Sequence, residues 1–240
     1  MFTAPKPLPH GGPSTQSVHA GESHEKPFGA LTMPIVQTST YCFEDTAALR
    51  AHMVRKGQGL EPRRGEYGRY GNPLQETVER KLAALEGAEK ALVFASGMAA
   101  ITTTLLTLLH AGDHIILTSG CYRKTRQFAL EFLQRLGIGC TLVEPDDVEN
   151  LQAAFRPNTR LLLTEAPTNP YLRVPDLDRV TEAAHQRGVL AIIDATFATP
   201  LNMLPLTHGV DLVIHSATKY LGGHNDLLAD NFILIKENAL

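Results

Sequence analysis

Cysteine is scarce in this chain of 240 residues. Its three cysteines, Cys42, Cys121 and Cys140, are an odd number and are widely spaced. Neither a disulfide framework nor a zinc ligand set has that pattern, and a reducing compartment is favoured. The ten histidines form no His-Glu-x-x-His pair and no Cys-x-x-Cys pair occurs. We therefore expect no metal site.

Excess charge and long apolar runs are lacking as well. The chain has 22 Lys+Arg against 25 Asp+Glu, a formal net charge of −3, so there is no electrostatic reason to expect nucleic-acid binding. The longest apolar stretches, such as 101–109, carry threonines and fall short of the roughly 20 residues of a membrane span. Residues 1–30 contain no apolar segment of the kind found in a secretory signal peptide. They also lack Arg and contain Glu22 and Glu25, which argues against a transit peptide. We expect a soluble cytoplasmic protein.

The first 75 residues differ from the rest of the chain. They hold 8 of the 15 prolines, one predicted helix at 45–56 and a Gly- and Arg-rich stretch at 57–72. A segment of this composition buries little of itself, so it must lie on the main domain or on a second subunit. We predict an N-terminal arm over 1–75 and a large domain over 76–240.

From residue 76 onward, predicted strands and helices alternate. The strands are continuous apolar runs, such as Leu161-Leu162-Leu163, which is typical of strands covered on both faces. The alternation at βαβ spacing predicts an α/β fold with a doubly wound, mostly parallel, seven-stranded sheet. The strands are predicted at 91–95, 114–118, 139–143, 160–165, 189–194, 211–215 and 231–236, and the helices at 75–86, from 97 to about 110, and at 123–136, 147–155 and 175–187.

Ligands of such sheets bind beyond the carboxyl ends of the strands, where two predicted turns carry suggestive groups. Ser96-Gly97-Met98 begins a helix, where free N–H groups could bind a phosphate, or where the glycine only permits the bend. Asn169 lies between two prolines. It is either a donor aimed at a ligand or a local cap of a rigid turn.

Two further strand ends carry ionisable groups. Asp194 directly follows a buried apolar run; it is either a cap or edge salt bridge, or a fixed negative charge for a cationic ring nitrogen or a metal. Lys219 lies beside the hydroxyls of Ser216 and Thr218, which suit a phosphate, and a lysine at a pocket wall can become a nucleophilic amine. An aldehyde-reactive lysine, phosphate donors and an acid for a pyridinium nitrogen are what pyridoxal 5′-phosphate requires.

These segments resemble the Cys/Met-metabolism family of fold-type I pyridoxal-phosphate enzymes. The resemblance runs from residue 15 to about 229. Within the family, Cys121-Tyr-Arg-Lys-Thr-Arg126 is most similar to the cystathionine γ-synthases of plants and cyanobacteria, because most other members have two glycines after this tyrosine. The other matching segments are 15–21, 67–73, 96–100, 165–170, 194–200 and 215–226.

The resemblance implies that the arm over 1–75 contacts a neighbouring subunit and that the large domain over 76–240 binds pyridoxal phosphate. It also implies a role for each matching residue. Lys219 would form the Schiff base with the cofactor, and Asp194 would pair with its pyridine nitrogen and keep it protonated. Tyr122 would stack on the ring, although its pattern alone also fits a core aromatic, and Lys219, Tyr122 and Asp194 would be the catalytic residues. The remaining cofactor contacts would be Asn169 to the phenolate oxygen, Gly97, Met98, Ser216 and Thr218 to the phosphate, and Tyr67 and Arg69 to the phosphate of a neighbouring subunit.

The resemblance also implies an activity. This is γ-replacement, in which an O-activated homoserine and cysteine give cystathionine for methionine biosynthesis, in a homo-oligomer (dimer or tetramer). The family continues beyond residue 240 into a smaller C-terminal domain, and Ala229-Asp230 stands where an Ala-Gly pair is usual, so we expect a fragment or a truncated chain. The alternatives are O-acetylhomoserine sulfhydrylase, methionine γ-lyase, a cystathionine lyase, or a non-catalytic cofactor-binding remnant. A Rossmann nucleotide-binding module would need a Gly-x-Gly-x-x-Gly turn that is absent.

Overall fold

The computed structural model of the chain describes residues 11–22, 25–60, 65–145, 147–227 and 231–235. The chain divides into two compact units between Lys81 and Leu82. The division into an arm over 1–75 and a domain over 76–240 stays a prediction. Ala229 and Asp230, part of the Gly- and Arg-rich stretch (61–64), and the last residue of the predicted strand 231–236 lie outside the described residues.

The first unit contains helices α1 (Pro13–His19) and α2 (Thr46–Gly57) and most of α3 (Pro73–Glu86). The prediction of a helix at 45–56 is confirmed: the Asp45 carboxylate caps α2 by accepting the Ala48 N–H at 2.7 Å. The sequence did not predict α1, which is short and has no side-chain cap. Of the residues in α2 only His52 is buried, so this helix lacks the wide apolar face of a core helix.

The second unit is built around one sheet, in which the described residues form seven strands in the order β1-β7-β6-β5-β4-β2-β3. Strand β7 is antiparallel to both of its neighbours, whereas the pairs from β6 to β3 are parallel. The predicted mostly parallel α/β sheet is therefore confirmed. The strands are β1 (Lys90–Val93), β2 (His114–Thr118), β3 (Gly139–Val143), β4 (Thr159–Glu165), β5 (Leu190–Asp194), β6 (Leu212–Ser216) and β7 (Asn231–Ile235).

Helices cover both faces of the sheet. Leu161 and Leu163 of β4 pack with α4 (Gly97–Leu108) and with the segment that begins with α5 (Arg123–Gln127). Leu162, between them, faces α6 (Val148–Ala154) and α7 (Leu177–His185) on the other side. Because both faces of the strands are buried, both sets of positions are apolar, which explains the uninterrupted runs in the sequence. The sheet is doubly wound, as predicted.

The predicted helices are present, with two kinds of difference. Helices α6 and α7 begin later than predicted because Asp147 and Asp176 are their N-caps, accepting the N–H groups of Asn150 at 2.9 Å and of Arg179 at 3.2 Å. The helix predicted at 123–136 is α-helical only as α5 and continues as a π-helical turn over Phe128–Leu133. A π-turn inserts one residue into the helical repeat and has no marker residue in the sequence.

The two-sided core gives a direct test of the fold. Leu163→Ala, at a position 1% exposed in β4, should lower the free energy of unfolding by about 2–5 kcal/mol, since it removes buried methyl groups and leaves a cavity. Leu201→Ala, at a position 72% exposed, is the matched control and should change it by less than about 0.5 kcal/mol. Urea titrations measure both values. Equal effects of the two substitutions would contradict the packing described here.

Candidate active site

The carboxyl ends of six of the seven described strands lie at one edge of the sheet. Strands β2, β3, β4, β5 and β6 run parallel, and β1 runs in the same direction as β6 because both are antiparallel to β7. The predicted site residues of this unit follow those strands: Gly97 and Met98 after β1, Tyr122 after β2, Asn169 after β4, Asp194 at the end of β5, and Ser216, Thr218 and Lys219 at and after the end of β6.

The Asp194 side chain lies at this edge and is only 7% exposed. Its Oδ1 accepts two hydrogen bonds from Thr196, one from the N–H at 3.1 Å and one from the hydroxyl at 2.5 Å. The Thr196 hydroxyl oxygen in turn accepts the Ser216 N–H at 2.8 Å, which connects Asp194 to the end of β6. Oδ2 of Asp194 accepts no hydrogen bond from the described residues, so this oxygen can accept one from a ligand.

Lys219 lies in a tight turn that begins at the end of β6. Its N–H donates to the Ser216 carbonyl at 3.0 Å, and the Gly222 N–H donates to the Ala217 carbonyl at 2.7 Å. A Cβ on Gly222 would approach that carbonyl oxygen to 2.6 Å, so the turn requires glycine there. The Lys219 side chain is exposed, and its amine forms no hydrogen bond or ion pair with any described residue. The amine is therefore available to react.

The N-terminus of α4 provides backbone donors at the same edge. The Ser96 hydroxyl caps the helix by accepting the Ala99 N–H at 3.1 Å. The N–H groups of Gly97 and Met98, in the first turn, have no acceptor within the helix, which suits an anion such as a phosphate. The Met98 sulfur accepts the Thr125 hydroxyl at 3.9 Å, which connects α4 to α5.

The turns that follow β2 and β4 are bonded to each other. The Tyr122 N–H donates to Glu165 Oε2 at 2.6 Å, and the Asn169 N–H donates to the Gly120 carbonyl at 3.2 Å. The Tyr122 side chain is 44% exposed, so the structure does not place it as a core aromatic. Asn169 is exposed, and its amide group has no hydrogen-bond partner in the described part of the chain. Both side chains are accessible to a ligand.

Two buried carboxyl groups lie side by side in this edge. Glu165, 3% exposed, is paired in register with Asp194 on the next strand. Burial, together with the nearby Asp194 charge, raises the pKa of Glu165 to about 8, although the Tyr122 N–H and Arg126 oppose the rise. Burial also raises the pKa of Asp194, against the two Thr196 hydrogen bonds and the charge of His215. The site therefore disfavours two simultaneous negative charges.

Tyr67 and Arg69 lie in the first unit, around a 3₁₀ turn at Gly68–Tyr70. The Gly68 N–H donates to the Ser39 carbonyl at 2.7 Å, and Tyr67 forms a β-bridge with Thr40. The Arg69 guanidinium lies over the Tyr67 ring, 5.0 Å from its centroid, and forms no ion pair with a described carboxylate. The role of the two residues at a phosphate stays a prediction.

One buried polar pair lies on the other face of the sheet. His215 and Glu86 are both buried, with His215 Nε2 3.5 Å from Glu86 Oε1, and His215 alternates with Ser216 along β6, so the pair lies on the opposite face of the sheet. The three cysteines form no disulfide bond among the described residues. In the described ranges no group of His, Cys, Asp and Glu is placed to hold a metal ion. No described helix has the length and apolar character needed to cross a bilayer.

Sequence reasoning missed two residues of the site, Glu165 and Thr196. Each belongs to a segment that matches the family, yet neither was assigned a role. The signal for Glu165 was the one used for Asp194, a carboxylate directly after a buried apolar run. The signal for Thr196 was its position two residues after an aspartate, the spacing at which a side chain bonds the backbone of a turn.

The fold and the site define a class of protein: an α/β cofactor domain that combines a free lysine amine, a buried acid with one unoccupied oxygen, and a helix N-terminus suited to a phosphate. These groups match the aldehyde, the ring nitrogen and the phosphate of pyridoxal phosphate, so the residues present fit that cofactor.

Comparison with known proteins identifies the family. Residues 14–238 match the model of the Cys/Met metabolism PLP-dependent enzymes, and the chain belongs to this family. The predicted family, fold class and cofactor are confirmed.

The relatives carry several different names. The chain is 50% identical over 216 residues to cystathionine gamma-synthase 1, chloroplastic, of Arabidopsis thaliana, covering 89% of this chain and 38% of that protein. It is 40% identical to an L-methionine gamma-lyase of Fusobacterium nucleatum, in an alignment that covers 95% of this chain and 56% of that protein. The chain thus spans well under two thirds of the length of these relatives.

Solved structures agree with this assignment. Corynebacterium glutamicum metB matches with a TM-score of 0.84 at 34% identity, covering 95% of this chain and 56% of that one. A putative O-acetylhomoserine (thiol)-lyase of Campylobacter jejuni matches with a TM-score of 0.86 at 26% identity, covering 95% of this chain and 55% of that one. That structure contains N′-pyridoxyl-lysine-5′-monophosphate.

The bridge from Asp194 through Thr196 to Ser216 should matter for cofactor binding. Thr196→Val keeps the side-chain shape but loses the hydroxyl, so it should weaken pyridoxal phosphate binding by about tenfold or more, whereas Thr196→Ser should stay within about threefold. Titration of the apoprotein, followed by absorbance, measures the affinity. Thr207→Val, which removes an exposed hydroxyl bonded to the Leu204 carbonyl, is the control. Unchanged affinity in Thr196→Val would show that the bridge does not organise the site.

The raised pKa of Glu165 predicts a pH-dependent stability. The group titrates at about 8 in the folded chain and near its ordinary value of 4.5 when unfolded. Its stabilising contribution is complete below about pH 4.5 and is lost as the pH rises to about 8. Relative to Glu165→Gln, which stays neutral, the wild-type free energy of unfolding should fall by an amount on the order of a few kcal/mol between about pH 5 and about pH 9. Urea unfolding at both pH values measures the difference, and a constant difference would contradict the raised pKa.

Proposed function

We propose that the protein containing this chain is a pyridoxal-phosphate-dependent transferase that performs γ-replacement, joining an O-activated homoserine to cysteine to give cystathionine. The observation that carries the proposal is the free Lys219 amine, whose turn is connected by hydrogen bonds through Ser216 and Thr196 to Asp194. The 50% identity to a plant cystathionine gamma-synthase supports this reaction over the others of the family, as does the segment 121–126.

Each residue of the edge has a defined task in this proposal. When bound, pyridoxal phosphate supplies an electron sink for the negative charge that develops on the substrate carbon. Lys219 would hold the cofactor through its aldehyde, and the lysine amine would move protons at Cα and Cβ of the substrate. Asp194 Oδ2 accepts the ring N–H, and its negative charge keeps that nitrogen protonated.

The other residues hold and orient the cofactor. The N–H groups of Gly97 and Met98 and the hydroxyls of Ser216 and Thr218 bind the phosphate, where the helix N-terminus favours an anion. The Asn169 amide donates to the phenolate oxygen. The exposed ring of Tyr122 would stack on the cofactor ring, a contact favoured between two flat π systems.

We also propose a homo-oligomer in which Tyr67 and Arg69 of one subunit reach the phosphate of another. The support is the exposed guanidinium of Arg69, which is oriented by the Tyr67 ring and forms no ion pair with a described carboxylate. An arginine in this state suits a phosphate. The odd number and wide spacing of the three cysteines support a reducing compartment such as the cytoplasm, while the plant relative is named as chloroplastic.

The test of the function is Lys219→Ala, with Lys90→Ala, which removes an exposed lysine of β1, as the matched control. Wild-type protein supplied with pyridoxal phosphate should show the visible absorbance of a lysine-bound cofactor. It should also form cystathionine from cysteine and O-phosphohomoserine, or from the acetyl or succinyl ester. Lys219→Ala should lose the absorbance band and reduce turnover by a factor on the order of a thousand or more, whereas Lys90→Ala should keep both.

Other outcomes select the alternative functions. Release of a 2-oxo acid without incorporation of cysteine would identify a lyase, such as the methionine gamma-lyase to which the chain is 40% identical. The absorbance band without any turnover would identify a cofactor-binding protein that is not an enzyme by itself. A colourless wild-type protein would contradict the assignment of Lys219.

A further inference from the structure

Glu165 provides the bond that fixes the backbone of Tyr122. Tyr122 is the N-cap of α5, outside the regular helix, and its side chain does not cap the helix. Because nearly half of the Tyr122 side chain is exposed, packing alone does not fix the ring. The bond from the Tyr122 N–H to Glu165 Oε2 is short, at 2.6 Å, and Glu165 is almost completely buried. It connects the base of this side chain to a residue 43 positions later in the chain, at the end of a central strand.

The same glutamate is half of a carboxyl pair. Residues paired in register on parallel strands project to the same face of the sheet, so Glu165 and Asp194 both extend toward the α4 and α5 side, as Leu163 and Ile192 do two residues earlier. Two adjacent buried carboxylates repel each other, and each is also penalised by its loss of hydration. If one carboxyl of the pair holds a proton, that group is neutral, so it neither repels the other carboxylate nor loses the hydration of a charge.

The hydrogen bonds decide which group keeps the charge. Asp194 accepts two donors from Thr196, and the charge of His215 on β6 also favours its ionised form. Glu165 accepts one donor, the Tyr122 N–H, and Arg126 of α5 is the cation that acts on it. The neighbouring Cys121 is a buried thiol whose pKa is raised by burial, so it is neutral and adds no charge. Asp194 is the better stabilised anion, and the proton belongs on Glu165.

We propose that Glu165 is a positioning residue of this site: its protonated carboxyl holds the Tyr122 N–H, so that the ring is fixed where the cofactor binds, and it leaves Asp194 as the single negative charge next to the ring nitrogen. This inference rests on the proposed function for the identity of the ligand. Its two structural parts, the location of the proton and the fixing of Tyr122, concern residues of this chain alone.

Infrared difference spectra between the wild type and Glu165→Gln test whether Glu165 holds the proton of the carboxyl pair. At neutral pH the wild-type holoprotein should show the carbonyl stretch of a buried protonated carboxyl, and the band should be absent in Glu165→Gln. Glu182→Gln, at an exposed position of α7, is the matched control and should keep the band. If the wild type lacks the band, or if Glu165→Gln retains it, the proton is not on Glu165 and the proposal is wrong.

Hydrogen exchange of the Tyr122 amide tests the positioning role. Glu165→Gln keeps an acceptor oxygen of the same shape, so exchange should stay within about threefold of wild type, whereas Glu165→Ala should accelerate it by about tenfold or more. Circular dichroism of the bound cofactor should fall at least twofold in Glu165→Ala and recover in Glu165→Gln, because it depends on the asymmetric placement of Tyr122 against the ring. Unchanged exchange in Glu165→Ala would overturn the role. If Glu165→Ala does not fold, the infrared comparison of wild type with Glu165→Gln still decides the proposal.

The two proposals fail in different ways. A wild-type protein that does not take up pyridoxal phosphate, or in which Lys219→Ala keeps the absorbance band, contradicts the proposed function. A wild-type protein that is coloured and depends on Lys219, but whose Glu165 is ionised at neutral pH, leaves that function intact and contradicts only the role of Glu165.

Discussion

The site depends on one constraint, the burial of the Asp194 carboxylate at the end of an apolar strand. An isolated buried carboxylate would take up a proton, and a protonated acid could not hold a cationic ring nitrogen. Two features of the chain oppose that outcome. Thr196 supplies two donors to one oxygen of Asp194, and the neighbouring Glu165, whose pKa is raised by burial, holds the proton of the pair in our proposal. Oδ2 of Asp194, which accepts no hydrogen bond from the described residues, can then pair with a cationic ligand.

The sheet determines where this charge can act. Parallel strands bring their carboxyl ends to one edge, and the hydrogen bond from Ser216 to Thr196 connects the Asp194 strand to the turn that carries Lys219. That turn tolerates only glycine at residue 222. The positions of the acid and the amine therefore follow from the backbone of β5 and β6, whose buried apolar residues stabilise the whole second unit. The proposed site and the stability of the second unit therefore depend on the same strands.

Much of this arrangement could be predicted from the sequence. Uninterrupted apolar runs such as Leu161-Leu162-Leu163 indicated strands covered on both faces, and the residues after those strands indicated the edge that binds a ligand. The π-turn after α5 and the late starts of α6 and α7 could not be predicted from periodicity, since they depend on local hydrogen bonds. The roles of Glu165 and Thr196 were missed because both depend on residues distant in sequence. Tyr122 is 43 positions from Glu165, and only the register of the sheet places Glu165 beside Asp194.

The most direct test of the central claim is the ¹⁵N NMR shift of the ring nitrogen in protein reconstituted with pyridine-¹⁵N-labelled pyridoxal phosphate. The buried charge of Asp194 predicts a protonated nitrogen at neutral pH in the wild type and an unprotonated one in Asp194→Ala. An unprotonated nitrogen in the wild type, or the same shift in both proteins, would contradict the claim that this carboxylate organises the site.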